Sequence, residues 1–242
     1  MRHSLLLLAT LMLSFTACEC FAQHDAGNHA GVGIGVKAST LGIGADIAFP
    51  ISERANLRAG FNAFNYNRSF DRDGINYGGT LTLRSMEALV DYFPGGGGFH
   101  VSPGVLLYNT NNLKATAAVP GGQTFDLGNA TYLSNPANPI NGSGKLTTNK
   151  VAPMLLLGFG NLVPRTRHFS MSFEFGAAFH GTPKVTLSLA GSACDFSGVN
   201  CRNAATDPNV QSNVQAEVDK LNKSASPWKI YPVVSLGFGY KF

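Results

Sequence analysis

Ser235-Leu236-Gly237-Phe238-Gly239-Tyr240-Lys241-Phe242 is the stretch that decides the fold, and it stands at the C-terminal end of the sequence. Large apolar side chains alternate in it with small or polar ones, so that Leu236, Phe238, Tyr240 and Phe242 share one parity. A period of two is typical of a β-strand whose two faces meet different surroundings. The stretch therefore predicts a strand with an apolar face and a face of small and polar residues.

The same stretch resembles the C-terminal assembly signal of outer-membrane β-barrels, which specifies a polar residue, a glycine, an aromatic residue and a terminal phenylalanine. Ser235, Gly237, Tyr240 and Phe242 fill these four places. The resemblance implies an integral protein of the bacterial outer membrane. It also implies two partners, the outer-membrane lipid and the barrel assembly machinery.

The N-terminal residues are typical of an export signal. A basic start, Met1-Arg2-His3, precedes an apolar run that is too short to cross a bilayer as a helix, for which about 20 residues are needed. Small residues before Gln23 predict cleavage there, so that residues 1–22 form a signal peptide and 23–242 the mature barrel domain. An alternative is a lipoprotein signal with Cys18 lipidated.

The composition favours a barrel over a periplasmic globular protein. Only 13% of the residues are charged, while 28 are glycine and 17 are phenylalanine. A lipid-facing surface tolerates few charges, so this composition suits a transmembrane barrel. The net charge of +4 is modest and no run of Lys or Arg occurs, so no nucleic-acid partner is expected. The motifs predict neither a cofactor nor a metal site.

Alternating segments along the chain predict an all-β protein, an eight-stranded antiparallel up-and-down transmembrane barrel. A parity break at Ser39-Thr40 divides the first apolar region into two strands, and the even number that results permits closure. The eight strands are predicted at about 31–39, 41–50, 55–68, 77–93, 99–112, 147–162, 169–189 and 227–242.

The connections between these strands differ in length, and two of them, 113–146 and 191–226, are long. Outer-membrane barrels place short turns in the periplasm and long loops outside. We therefore expect both termini in the periplasm and both long segments as extracellular loops. These loops are the candidate contact surface for an extracellular ligand.

The second long loop carries two further signals. Cys194 and Cys201 would form a disulfide in an oxidising compartment, the alternative being two free thiols. Asp207 and Pro208 are typical of a helix N-terminus, and they precede apolar residues at helical spacing, Val210, Val214, Val218 and Leu221. A short helix is predicted there, either folded over the barrel mouth or available to a partner.

A wider resemblance covers most of the mature chain. Residues 35–44, 57–62, 73–77, 97–102 and 231–237 are similar, in order, to segments of a family of proteobacterial and acidobacterial outer-membrane barrels. This family belongs with the small OmpA- and opacity-type barrels. The resemblance implies a compartment and a fold, and it implies no activity.

Alternation also places ionisable side chains inside the predicted barrel. The inward set comprises Asp46, Arg58, Glu87, Asp91, Glu174 and Lys241. A turn centred near Ser52 would set Asp46 directly across from Arg58, and the next hairpin would bring Glu87 close. Buried charges must be paired, so we predict an ion network of Asp46, Arg58, Glu87 and Asp91 that fills the interior.

Together these features predict a non-enzymatic outer-membrane protein with a filled polar interior and with surface loops for structural or binding roles. A narrow passive channel for small solutes is the alternative. A lipid A hydrolase is a weaker one, based on His168-Phe169-Ser170 with Glu174 on the same face. His100 and His180 are expected as interior or rim residues.

Overall fold

The computed structural model describes residues 31–242. The predicted signal peptide and its cleavage site lie outside the described residues. The strands are β1 (Gly33–Ser39), β2 (Gly42–Ser52), β3 (Ala55–Arg72), β4 (Ile75–Tyr92), β5 (Phe99–Leu107), β6 (Asn112–Val119), β7 (Thr124–Leu127), β8 (Ala130–Ser134), β9 (Ile140–Thr147), β10 (Ala152–Phe159), β11 (Phe169–Ala178), β12 (Lys184–Ala190), β13 (Ser192–Cys194), β14 (Arg202–Asn203) and β15 (Tyr231–Lys241). Within these residues a helix, α1 (Pro208–Ala225), stands between β14 and β15.

Eight of these strands close into a ring of antiparallel neighbours. Its order is β1, β2, β3, β4, β5, β10, β11 and β15, and β15 pairs again with β1. Closure runs from Gly33 opposite Lys241 to Ser39 opposite Ser235, so the first and last strands share one seam. The predicted count of eight is therefore found, and the first hairpin turns at Thr40-Leu41 as the parity break indicated.

The ring carries large apolar side chains outside, and its interior holds all of its buried charged side chains. Along β15 the residues alternate between buried and exposed, and the aromatic parity of the C-terminal stretch is the exposed one. Large apolar side chains are likewise exposed on the other ring strands, among them Val36, Ile43, Leu57, Phe61, Leu155, Phe159, Phe173 and Phe175. This arrangement is the reverse of a water-soluble sheet, whose apolar face is covered.

A second sheet rises from one end of the ring, and we call it the outer sheet. It consists of the distal halves of β3 and β4 followed by β6, β9 and β12. Its registers continue those of the ring: Met86 pairs with Leu107 of β5, and Thr82 pairs with Asn112 of β6. The chain thus crosses from ring to outer sheet with a short break at Tyr108, where φ is +48°.

The two predicted long loops contain regular structure, which corrects that expectation. Residues 113–146 contain most of β6, all of β7 and β8 and most of β9, and residues 191–226 contain β13, β14 and α1. Strands β7, β8, β13 and β14 form a separate four-stranded sheet. In β6 and β9 the apolar alternation is weak, because Ala and Gly take many of the places that large apolar residues hold in the ring. Strand β12 keeps the alternation with Val185, Leu187 and Leu189. It lies within the predicted strand at about 169–189, which the structure divides into β11 and β12.

Helix α1 begins as predicted. The Asp207 carboxylate accepts hydrogen bonds from the backbone N–H groups of Asn209 and Val210 at 3.0 and 3.1 Å. Its apolar face does not lie over the ring. Val210 and Val214 are buried in a cluster with Ile75, Val119, Leu127, Ile140, Ala193 and Ala204, which gives the outer region a core of its own.

Candidate functional site

Arg58 organises the interior of the ring. Its guanidinium donates from Nε and Nη2 to Asp91 Oδ1, at 3.2 and 2.9 Å, and from Nη1 to Glu174 Oε2 at 3.0 Å. A second bond joins Nη2 to Glu174 Oε1, and Asp46 Oδ2 stands 3.6 Å from Nη1. The planar fork of arginine suits such multiple carboxylate contacts, so Arg58 joins strands on opposite walls of the ring.

Lys37 is a second buried cation of this interior. Its Nζ donates to Asp46 Oδ1 at 2.7 Å and also to Glu87 Oε1. Asn62 Nδ2 donates to the other oxygen of Glu87 at 3.2 Å. Sequence reasoning missed Lys37, although its parity within Gly33–Ser39 is that of the glycines, which are the inward residues.

The carboxylates have further polar partners. His100 Nε2 lies 3.1 Å from Glu174 Oε1, and Ser102 Oγ donates to Asp91 Oδ1 at 2.6 Å. Asp91, His100 and Glu174 are spaced closely enough to hold a metal ion, their ligand atoms being within 4.8 Å of one another. However, the Arg58 guanidinium already lies against both carboxylates, and it supplies the positive charge that a metal would bring. We therefore treat these residues as an ion network.

The predicted network residues all face this interior, but the predicted strand register is wrong. Asp46 pairs across the strands with Gly60, and Arg58 pairs with Ala48, because the turn is centred beyond Ser52 and a one-residue register shift lies between Pro50 and Ser52. Asp46 is nevertheless within 3.6 Å of Arg58, and Glu87 has Lys37 as its direct ionic partner. Glu174, placed inward but outside the predicted network, is a principal partner of Arg58.

The connection between β10 and β11 closes the lower end of the ring, where β1 begins and β15 ends. Leu162 occupies space that two glycines leave: a β-carbon on Gly35 would stand 2.8 Å from Leu162 Cδ1, and one on Gly239 would overlap the same atom. Asn56 Nδ2 donates to Asn161 Oδ1 at 2.8 Å and ties the connection to β3.

The upper half of the ring interior is apolar. A cluster of buried side chains crosses it between the ion network and the outer sheet: Leu41, Leu89, Leu106, Ala152, Met154, Leu156, Ala178 and Val233. The ring is thus filled in three layers, namely the Leu162 connection, the ion network and this apolar layer.

Above the apolar layer lies a cavity of about 390 Å³, which we call the mouth cavity. Its floor includes Leu41 and Leu106 of that layer, and its edge includes Trp228 and Ile230 of the segment between α1 and β15. His180 lines it as well, so this histidine is a rim residue as expected. The sequence offered no periodic signal for this cavity, because its walls come from several separate parts of the chain.

The residues of the hydrolase alternative do not meet. His168 is exposed: its Nδ1 lies 2.9 Å from the Lys241 carbonyl oxygen, and its ring stacks on Tyr240 with centroids 5.6 Å apart. Glu174 is buried in the ion network. The predicted sharing of one face by His168 and Glu174 is therefore wrong.

The remaining predicted residues lie on β15 and at its end, and beside the small sheet of β7, β8, β13 and β14. Ser235 and Gly237 are buried on the inner side of β15, while the Tyr240 and Phe242 rings are exposed and contact each other edge to face at 4.9 Å. A disulfide joins Cys194 to Cys201 beside the small sheet, as the sequence predicted.

Comparisons with known proteins extend this picture at the level of the fold. The sequence matches no protein-family model and no curated protein. Two solved structures are similar: Acinetobacter baumannii CarO, at 21% identity and a TM-score of 0.55, and A. baumannii CarO2, at 20% and 0.54. The alignments cover 90% and 88% of this chain and 100% and 98% of those chains.

Both neighbours are outer-membrane β-barrel proteins. Because the identities are about one fifth, this likeness shows the fold alone, and the fold is that of an outer-membrane β-barrel. A major outer membrane protein from Thermus thermophilus also matches, with a TM-score of 0.30 that is too low to carry an argument. Within residues 31–242, no helix has both the length and the hydropathy that a membrane-spanning helix requires.

Proposed function

We propose that this protein is an integral outer-membrane β-barrel protein without enzymatic activity, whose filled ring anchors a folded surface region. The observation that carries the proposal is the inverted ring, with phenylalanine and aliphatic side chains outside and buried ion pairs inside. Lipid is the solvent that makes such an exterior favourable. Ring strands of 7 to 18 residues are compatible with the tilted strands of about 9–11 residues that cross a bilayer.

The proposed orientation puts both termini in the periplasm. The two terminal ring strands share the end that the β10–β11 connection closes, and the outer sheet with α1 rises from the opposite end. Outer-membrane barrels place their longer extramembrane parts outside the cell. The outer region, which includes residues 113–146 and 191–226, would then meet extracellular ligands, and the C-terminal stretch would be read by the assembly machinery.

A matched pair of charge substitutions tests the membrane placement. Phe173→Arg puts a charge on the exposed face of the ring, where Phe173 is 46% exposed. If that face meets lipid, the folded state should lose about 2–4 kcal/mol near the bilayer midplane. Val199→Arg, at a residue 58% exposed in the outer region, should change stability by less than about 0.5 kcal/mol. Equal effects for the two variants would contradict a lipid-facing ring.

Conductance tests the filled interior. The protein in planar bilayers should give no stable single-channel steps, because three layers of side chains fill the ring. A porin measured in the same bilayers shows that steps would be detected. Regular steps from the unaltered protein would refute the filled-anchor proposal and favour the narrow passive channel instead.

A further inference from the structure

We propose that the mouth cavity binds a small, uncharged and largely apolar group, either a free solute or the acyl chain of a lipid. This inference goes beyond the proposed function and does not depend on whether the ring conducts. The cavity has a closed floor, because the buried side chains of Leu41, Leu106 and Ala178 belong to the apolar layer that crosses the ring. A molecule that enters from the outer side is therefore retained there and is not passed through.

The walls determine which chemistry the cavity accepts. Among the described residues that line it, none is Lys, Arg, Asp or Glu, and leucines supply much of the surface. A charged solute would lose its hydration there without gaining a counter-charge, which is strongly unfavourable. The volume of about 390 Å³ is at the lower end of the range of about 300–1,000 Å³ that small-molecule sites occupy.

The polar side chains of the wall are mostly engaged with each other or with backbone. Asn109 donates from Nδ2 to Thr148 Oγ1 at 3.0 Å, and Asn111 Oδ1 accepts from the backbone N–H of Arg84 at 2.7 Å. Asn112 Nδ2 donates to the Thr110 carbonyl oxygen at 2.8 Å, and its Oδ1 is buried away from the cavity surface. These contacts leave the wall with few groups that could replace the hydration of a strongly polar solute.

Large apolar side chains at the edge remain uncovered. Trp228 is 72% exposed and Ile230 is 53% exposed, on a segment held by turn bonds such as Trp228 N–H to the Ala225 carbonyl oxygen at 3.0 Å. A bound apolar group would cover part of this surface and gain about 25 cal/mol for each Å² removed from water.

Trp228 is the only tryptophan in the sequence, so its fluorescence reports on the cavity edge without labelling. The test uses the protein in lipid nanodiscs and three quenchers of similar size, namely bromobenzene, 4-bromophenol and 4-bromobenzoate. At neutral pH the first two are uncharged and the third is an anion. We expect saturable quenching by the neutral pair, and only a linear, collisional response to 4-bromobenzoate. Linear responses to all three would overturn the proposal.

A variant pair identifies the site of quenching. Leu113→Lys adds a charge to the cavity wall at a residue already 45% exposed, and it should raise the half-saturating concentration of bromobenzene at least tenfold. Val199→Lys, away from the cavity wall, should leave that concentration unchanged. Unchanged saturation in Leu113→Lys would place the binding elsewhere and refute the assignment. The comparison of neutral and charged quenchers needs no variant, so it decides the question even if Leu113→Lys does not fold.

Nanodiscs made with brominated acyl chains distinguish the two sources of the apolar group. Quenching of Trp228 by these lipids in the unaltered protein, but not in Leu113→Lys, would identify a lipid chain as the occupant. Absence of lipid quenching together with saturable bromobenzene quenching would identify a free solute. Equal lipid quenching in both proteins, without saturable bromobenzene quenching, would contradict the proposal.

Discussion

Replacement of Arg58 by Ala is the most direct perturbation of the ring interior. The Arg58 side chain is 5% exposed and bonds to Asp91 and Glu174, with Asp46 nearby. Removal of one member of a buried ion pair leaves the other charge uncompensated, at a cost of about 3–5 kcal/mol. Since each 1.4 kcal/mol is a tenfold change in an equilibrium constant, the ratio of folded to unfolded protein should fall by more than about a hundredfold.

The assay is urea unfolding in lipid vesicles, followed by the fraction of protein that migrates as the folded band on unheated gels. Arg68→Ala is the matched control, because Arg68 lies on the same strand but is exposed on its distal half. This control should remain within about 0.5 kcal/mol of the unaltered protein. A combined Arg58→Met, Asp91→Asn and Glu174→Gln variant should recover part of the loss, because the two carboxylates that Arg58 bonds are then neutral and Asp46 keeps its ion pair with Lys37.

One result would refute the reasoning about the interior. If Arg58→Ala unfolds at the same urea concentration as Arg68→Ala, the guanidinium does not hold the ring together, and the carboxylates must be neutralised by another route. If the combined variant is less stable than Arg58→Ala alone, the loss arises from packing and not from charge.

Two further predictions concern the outer region. Val214→Ala should destabilise this region by about 1.5–3 kcal/mol, because the Val214 side chain is only 5% exposed in the core of the outer region. Amide hydrogen exchange of α1 should accelerate, while exchange of β15 should be unchanged. Equal acceleration of both would contradict a separate core. Hydrogen bonds from the Ser197 hydroxyl and from the Val199 backbone N–H hold the pKa of Asp195 below its usual value. The carboxylate form of Asp195 therefore stabilises the disulfide loop above about pH 4, and this contribution is lost as the pH falls through the lowered pKa. NMR titration of Asp195 checks the prediction, and a pKa at or above about 3.9 would contradict it.

The ring strands could be predicted from the sequence because their residues alternate between two different environments. Lipid on one side and a narrow interior on the other require strict alternation, and β15 shows it in every residue from Val233 to Tyr240. The same alternation predicted that the side chains of Asp46 and Arg58 point into the ring. Parity does not give register, however. The turn is centred beyond Ser52, and after the one-residue shift between Pro50 and Ser52 Asp46 stands opposite Gly60, two residues from the predicted partner Arg58.

The outer region and the mouth cavity could not be read in the same way. Strands β6 and β9 alternate only weakly, because small residues such as Ala115 and Gly144 hold much of their less polar face. On the other face Lys114 and Lys145 stand opposite each other. Propensity alone assigns such segments to loops. The cavity brings together residues as distant in the chain as Leu41 and Trp228, and only the closed ring makes them neighbours. Helix α1 was predictable because its cap and its apolar spacing are local.

Strand β4 belongs to the ring in one half and to the outer sheet in the other, and the chain passes between the two parts with no flexible linker. Residues 64–72, at about 3.3 Å each, add roughly 30 Å of strand beyond the last residue of β3 that pairs with β2. We therefore expect the outer region to keep one orientation relative to the ring. A molecule that binds at the far end of the outer region is then held at a defined distance from the ring. A force applied there is transmitted along β3 and β4 to the hydrogen bonds between the ring strands.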